Sequence, residues 1–219
     1  LFTLFNFYSL QRPTGLEKFL ADYDFEIGFN QVSDSKNEQS GQGGLLLVDD
    51  LGSHPITKPI LDSGLHLLLP RSVSFPEAEN DDSPPGSILA HSSDAGQSVG
   101  QIQGNKGSVE REGKIPLIAA KLHENDGQPP ARIVVAGDSL FLGNSAIEAG
   151  ANRDFASLAV NWLLEREHLL AIAPRTVTEY RIELTRAEMT SVIWLLLLVL
   201  PGGTLGLGLL WWRRQMKRS

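Results

Sequence analysis

The sequence predicts an α/β domain followed by one C-terminal transmembrane helix. Three observations carry this. From Ser191 to Trp212 the chain holds no charged side chain, and about 20 apolar residues suffice to cross the hydrocarbon core as a helix. Upstream, Leu45 to Val48 and Ile133 to Ala136 are continuous apolar runs of strand length, the pattern of strands buried on both faces. Phe155, Leu158, Ala159, Trp162 and Leu163 fall at helical spacing on one apolar face.

Taken in order, Leu16, Phe19, Leu20 and Tyr23 form a helical stripe, and Phe25 to Phe29 alternates as a short strand. Ser33 to Gly43 is polar and rich in Gly, Ser and Asn, which predicts a loop. Leu45 to Val48 ends in Asp49-Asp50 and is expected in a parallel sheet. Ser53-His54-Pro55-Ile56-Thr57 is a turn leading into a short helix or loop. Leu65 to Leu69 and Val73 to Phe75 are strand pieces separated by Pro70. From Pro76 to Gly113 polar residues, Gly and Pro dominate, and a long acidic and polar surface loop is expected there. Within it, Ile88 to His91 reads as a strand. The acid run Glu77 to Asp82 lacks the ligand spacing of a calcium loop and is expected to be solvated.

Ile115 to Leu122 returns to strand character, with Pro116 at a strand start or an edge. Arg132 to Ala136 is the strongest strand, and it runs into Gly137-Asp138-Ser139-Leu140-Phe141. In open parallel sheets, ligands bind just past the carboxyl ends of strands. A helix follows, with Asn152 as its expected N-cap. Pro174 ends that region, and Tyr180 to Leu184 alternates as a half-exposed strand. Thr185-Arg186-Ala187-Glu188 has the form of a capping box, so a helix is expected to start there and run into the membrane.

The division expected is an extracytoplasmic domain over 1–184, a capped helix over 185–214 that includes the span 191–212, and a basic tail over 213–219. Trp194 belongs to the expected membrane anchor, and Trp211 and Trp212 would sit at the headgroups, with Arg213 and Arg214 just beyond. By the positive-inside rule the C-terminus is cytoplasmic and the main domain extracytoplasmic, at the inner cell membrane. Pro201-Gly202-Gly203 should soften the helix, and Gly202-x-x-x-Gly206 matches a small-residue packing motif. The opening, Leu-Phe-Thr-Leu-Phe, lacks the features of a secretion signal, and an upstream portion of the protein is expected.

Net charge is −7. Setting aside the four basic residues of the tail leaves −11 on residues 1–212. So acidic a domain is a poor match for nucleic acid, which wants clustered Lys and Arg. Cysteine is absent, which excludes disulfides, cysteine nucleophiles and thiolate metal sites. Among the five histidines, only Glu165 and His168 have the spacing of a helical ligand pair. No metal and no cofactor is expected.

Asp138 and Ser139 are compatible with two chemistries. Gly137-Asp138-Ser139-Leu140 spells the nucleophile block of GDSL-type esterases, which need a histidine base set by a carboxylate. The only histidine that follows is His168, and the block stands late in the chain rather than opening the domain. The other possibility is a strand-to-loop turn in which Asp138 and Ser139 bond nearby backbone amides. A binding role for Asp138, Ser139, Asn144 and His54 would place a small ligand past the strand ends.

An ordered set of stretches resembles the GldG-like auxiliary proteins of ABC-type transport systems, named for bacterial gliding motility. The set is His54-Pro55-Ile56-Thr57, Arg132 to Phe141, Gly143-Asn144-Ser145, Asn152-Arg153-Asp154, Val160-Asn161-Trp162-Leu163 and the basic-capped terminal helix. The resemblance spans most of residues 44–219, with Pro76 to Gly113 poorly matched, and it lies in the order of the set rather than in any one motif. It implies a partial doubly wound, amidotransferase-like sheet whose first strands lie upstream. It also implies a non-catalytic subunit whose partners are an ABC permease and its ATPase, with the lipid bilayer around the anchor.

Overall fold

A computed structural model describes residues 1–37, 45–76, 86–103, 106–125, 128–166 and 194–216. The chain divides into two units, Leu1–Arg175 and Thr176–Ser219. The first is a mixed α/β domain made mostly of sheet. Its largest sheet has five strands in the order β1-β12-β11-β8-β5: β1 (Phe2–Leu4), β12 (Gln128–Ala136), β11 (Pro116–Asn125), β8 (Ser87–His91) and β5 (Asp50–Leu51). Only β1 and β12 run parallel, with Phe2 opposite Val134 and Leu4 opposite Ala136. The other three pairings are antiparallel.

This sheet is buried on both faces, so its central strands are apolar at consecutive positions rather than at alternate ones. Ile118, Ala120, Val134 and Ala136 face one cluster with Leu65, Leu67 and α2 (Asn152–Leu163), which contributes Phe155, Leu158, Ala159 and Trp162. Ala119, Ile133 and Val135 face the other, with Phe5, Leu20, Phe25 and Val73. Burying Val134 or Val135 contributes roughly 1.5–3 kcal/mol each. Lys121 lies on the second face among apolar residues. Its ammonium pairs with Asp24 and donates to the Tyr23 carbonyl at 3.2 Å, which ties the end of α1 (Leu16–Ala21) to the sheet.

Leu45–Val48 (β4) forms a strand, but not in a parallel sheet. It pairs antiparallel with β6 (Leu65–Leu68), and burial alternates along it. Glu26–Ile27 (β2) pairs with Val73–Ser74 (β7). Pro116 opens β11, whose position between β12 and β8 is central rather than at an edge. The stripe on α1 is only partly used: Leu20 is buried while Leu16 and Phe19 are exposed.

Of the segment expected as a long loop over 76–113, the described residues 86–103 and 106–113 are largely sheet. Besides β8, it forms β9 (Gly96–Gln103) and β10 (Lys106–Glu112), an antiparallel hairpin. The hairpin adds β3 (Asn30–Asp34), whose last two residues had been expected in a loop. Gly, Ser and Gln are weak strand formers by themselves, so long-range pairing to β3 decides the outcome. Asp34 secures the junction by accepting Ser93 N–H at 2.7 Å and Ser93 Oγ at 2.9 Å.

Asn152 is not the N-cap of α2. Ala151 holds that position, and the Asn152 side chain is fully buried. Its Oδ1 accepts from His66 N–H at 2.9 Å, and its Nδ2 reaches the carbonyls of His66, Phe141 and Ala146 at 2.9–3.1 Å.

In the second unit a π-helical turn, Leu195–Val199, leads into α3 (Leu200–Met216). Pro201 lacks an N–H, and a widened turn directly before it accommodates the missing bond. Leu195–Arg214, 20 residues, is long and apolar enough to cross a membrane, and none of its apolar window is buried in the protein. The expected strand Tyr180–Leu184, the box Thr185–Glu188, Pro174 and His168 lie outside the described residues.

Candidate functional site

The parallel pair β1 and β12 ends side by side, and the chain leaves both strands at the same edge of the domain. Past β12, Gly137 donates to the Leu117 carbonyl and accepts from Arg71 N–H, both at 2.9 Å. A Cβ at Gly137 would fall 1.9 Å from the Arg71 carbonyl oxygen, so only glycine lets these backbones meet.

Asp138 is 1 % exposed. Its carboxylate accepts N–H bonds from Leu68 at 2.7 Å, Leu140 at 2.7 Å and Phe141 at 3.1 Å. Burial pushes its carboxyl up to about 6, against the pull of the N–H donors of Leu68, Leu140, Phe141 and Ser139. Asp138 thus fastens the end of β6 to the turn after β12 and shapes the 3-10 turn Leu140–Leu142.

Ser139 is half-buried, and its Oγ accepts from Asn6 Nδ2 at 2.8 Å. A serine nucleophile needs an acceptor for its proton. The neighbour here is a donor, which engages a lone pair and leaves the proton where it is.

From Asn6 a polar chain runs inward. Ser9 Oγ donates to the Asn6 carbonyl at 2.6 Å and accepts from Arg71 Nη1 at 2.8 Å. The Arg71 side chain has no exposed surface. Its Nε donates to the Gly28 carbonyl at 2.8 Å, and Nη1 also meets Glu17 Oε1 at 3.1 Å. The rings of Phe5 and Phe29 lie 4.9 and 4.8 Å from the guanidinium carbon. Burial lowers the Arg71 pKa, and the Glu17 charge opposes this. Burial pushes the Glu17 carboxyl up, but its bonds to backbone, Thr14 and Arg71 outweigh this and hold it below the ordinary range. Glu17 Oε2 accepts from Thr14 N–H at 3.1 Å and Thr14 Oγ1 at 2.8 Å.

The sequence-predicted residues divide. Asp138 and Ser139 stand together at this edge. Asn144 is exposed on the turn that follows. His54 belongs to a different cluster: its ring meets Trp162 edge-on at 5.0 Å, and its Nδ1 accepts from Ile56 N–H at 3.2 Å. Burial, then the charge of Arg132, push its pKa down to about 4. Arg132 lies over the other part of that cluster, 5.0 Å from the Trp162 ring, and donates to the Trp162 carbonyl at 2.8 Å. Asn6, Ser9, Glu17 and Arg71 were not singled out from sequence. Each is an isolated polar residue with no spacing signal, and only the fold assembles them. Among the described residues no group of three or more His, Cys, Asp or Glu is placed to hold a metal.

Fold and edge together define a mixed α/β domain with a cluster of polar side chains past the ends of the parallel pair β1 and β12. No protein-family model matches the chain, and a search among curated proteins finds no match either. Among solved structures, the fold is similar to that of the mmIFT52 N-terminal domain, with a TM-score of 0.52 and 12 % sequence identity. The likeness covers 74 % of this chain and 63 % of that one, so the chain spans less than two thirds of the neighbour.

Proposed function

We propose that this protein is a membrane-anchored, non-enzymatic auxiliary subunit of an ABC-type transporter, with its α/β domain outside the cytoplasm. The observation that carries the proposal is the helix Leu195–Arg214, apolar over a membrane's thickness with nothing buried in its own protein. Such a surface calls for lipid or another apolar helix around it. Arg213 and Arg214 at its end favour a cytoplasmic C-terminus. A Cβ added at Gly202, Gly203, Gly206 or Gly208 would meet nothing within 4 Å, which leaves a smooth flank against which a permease helix could pack.

The non-enzymatic part draws support from Asp138, whose oxygens are taken by backbone amides, and from the donor beside Ser139. The partner assignment rests on the ordered resemblance to GldG-like proteins. On this reading the sheet is part of a doubly wound, amidotransferase-like one. The parallel pair β1–β12, covered on one face by α2, is the portion that supports it.

The test is purification of the tagged full-length protein from native membranes in mild detergent. Recovery of an ABC permease with its ATPase is expected. Recovery of neither overturns the proposal.

A further inference from the structure

Arg71 uses only part of its donor set. Nε and Nη1 are bonded, while Nη2 is buried with no hydrogen-bond partner. A guanidinium withdrawn from water is stable where its donors are met, and a carboxylate matches the fork best through two parallel bonds. Glu17 supplies only one such contact. Its second oxygen accepts from Thr14 N–H and Oγ1, and Nη2 gains no bond from it.

The cover over this group is lightly held. Of residues 6–10 and 12–19, none is buried. Its attachments are polar: Asn6 to Ser139, Ser9 to Arg71, Glu17 to Arg71. Segments with few buried apolar contacts are those that open at low cost. Lifting this one would free Asn6 Nδ2 and the hydroxyls of Ser9 and Ser139, which are now bonded in one chain with Arg71. The cluster stands past the carboxyl ends of the parallel pair β1 and β12.

We propose that Arg71 is the binding residue of a site for a short dicarboxylic or hydroxycarboxylic acid, closed by segment 6–17, with Glu17 as its internal competitor. One carboxylate takes the place of Glu17 and reaches Nη2 as well. The second oxygen function is received by Asn6, Ser9 and Ser139. The proposal goes beyond the transporter assignment and does not depend on it.

The test uses the full chain in detergent micelles with nitrogen-15-labelled arginine, titrated with succinate at constant ionic strength. The Arg71 Nε–H resonance, assigned by its loss in Arg71→Lys, is expected to shift saturably with succinate and not with chloride. Glu17→Gln should bind succinate about tenfold more tightly or better, because a like charge has left the fork. Ser139→Ala should bind it more weakly. If succinate leaves the resonance in place in the wild type, or if chloride moves it equally, the proposal is wrong and Arg71 is a structural clamp. Equal affinity in wild type and Glu17→Gln would overturn the competitor role. Should Arg71→Lys fail to fold, the resonance is assigned through its contacts with the Phe5 and Phe29 rings, and the wild-type titration alone decides.

Discussion

Asp138 accepts the backbone N–H of Leu68 at 2.7 Å across 70 residues of sequence. That bond joins the antiparallel pair β4–β6 to the turn where the candidate site begins. Replacing Asp138 with Asn turns one acceptor oxygen into a donor that faces a buried N–H. A loss of about 1–3 kcal/mol is expected, read from denaturant midpoints.

The same residue sets a pH dependence. Its folded-state pKa, about 6, lies above the ordinary 3.8. The folded chain therefore binds this proton more tightly than the unfolded one. The stabilisation is full below the ordinary value and is lost as pH rises through about 6. The stability of wild type relative to Asp138→Asn should therefore shrink between pH 4 and pH 7. A widening gap would mean that the N–H donors outweigh burial.

His54 works in the opposite sense. Its pKa is depressed to about 4 from 6.5, so its contribution is present above the ordinary value and is lost as pH falls toward 4. In a proton NMR titration the His54 ring should show a midpoint near 4. Arg132→Met should raise that midpoint while leaving it below 6.5, because burial is the larger cause. A full return to 6.5 would assign the shift to Arg132 instead.

Gly137→Ala should be among the costlier single-methyl additions in the domain. The new carbon has a backbone oxygen in its way, not a flexible side chain. A loss of about 1–3 kcal/mol, toward the upper end, is expected in urea unfolding. Gly203→Ala, with open space around it, is the matched control and should leave the α/β domain's midpoint unchanged.

The absence of cysteine permits a clean topology measurement. In right-side-out membrane vesicles, an impermeant maleimide should label Glu124→Cys, which starts from an exposed position in β11. Ser219→Cys should react only after permeabilisation. Labelling of Ser219→Cys in intact vesicles would reverse the orientation drawn from Arg213 and Arg214.

Ile133 to Ala136 and the stripe on α2 were legible because each carries its own periodicity, and both meet the faces they announce. β9 and β10 were not. Their residues favour loops locally, and pairings such as Gln31 with Val99, together with the 3.0 Å bond from Asn30 to Glu110, make them sheet. Asn152 has the chemistry of a cap, yet His66 claims its amide across 86 residues. At the candidate site, Asp138 and Ser139 could be found as a strand-end turn. Arg71 could not, since a single arginine between Pro70 and Ser72 announces nothing until Phe5 and Phe29 close around it.

The parallel pairing of β1 with β12 also governs when the domain can be finished. Leu1 donates to the Arg132 carbonyl across 131 residues, and no closer segment offers β1 a sheet partner among the described residues. At about 5–20 residues per second of synthesis, β1 waits on the order of ten seconds for its neighbour. During that interval Phe2 and Leu4 lack the β12 residues they pair with, and the site has only one of its two strand ends. The site is thus one of the last parts of the domain to exist, and an incomplete chain cannot display it.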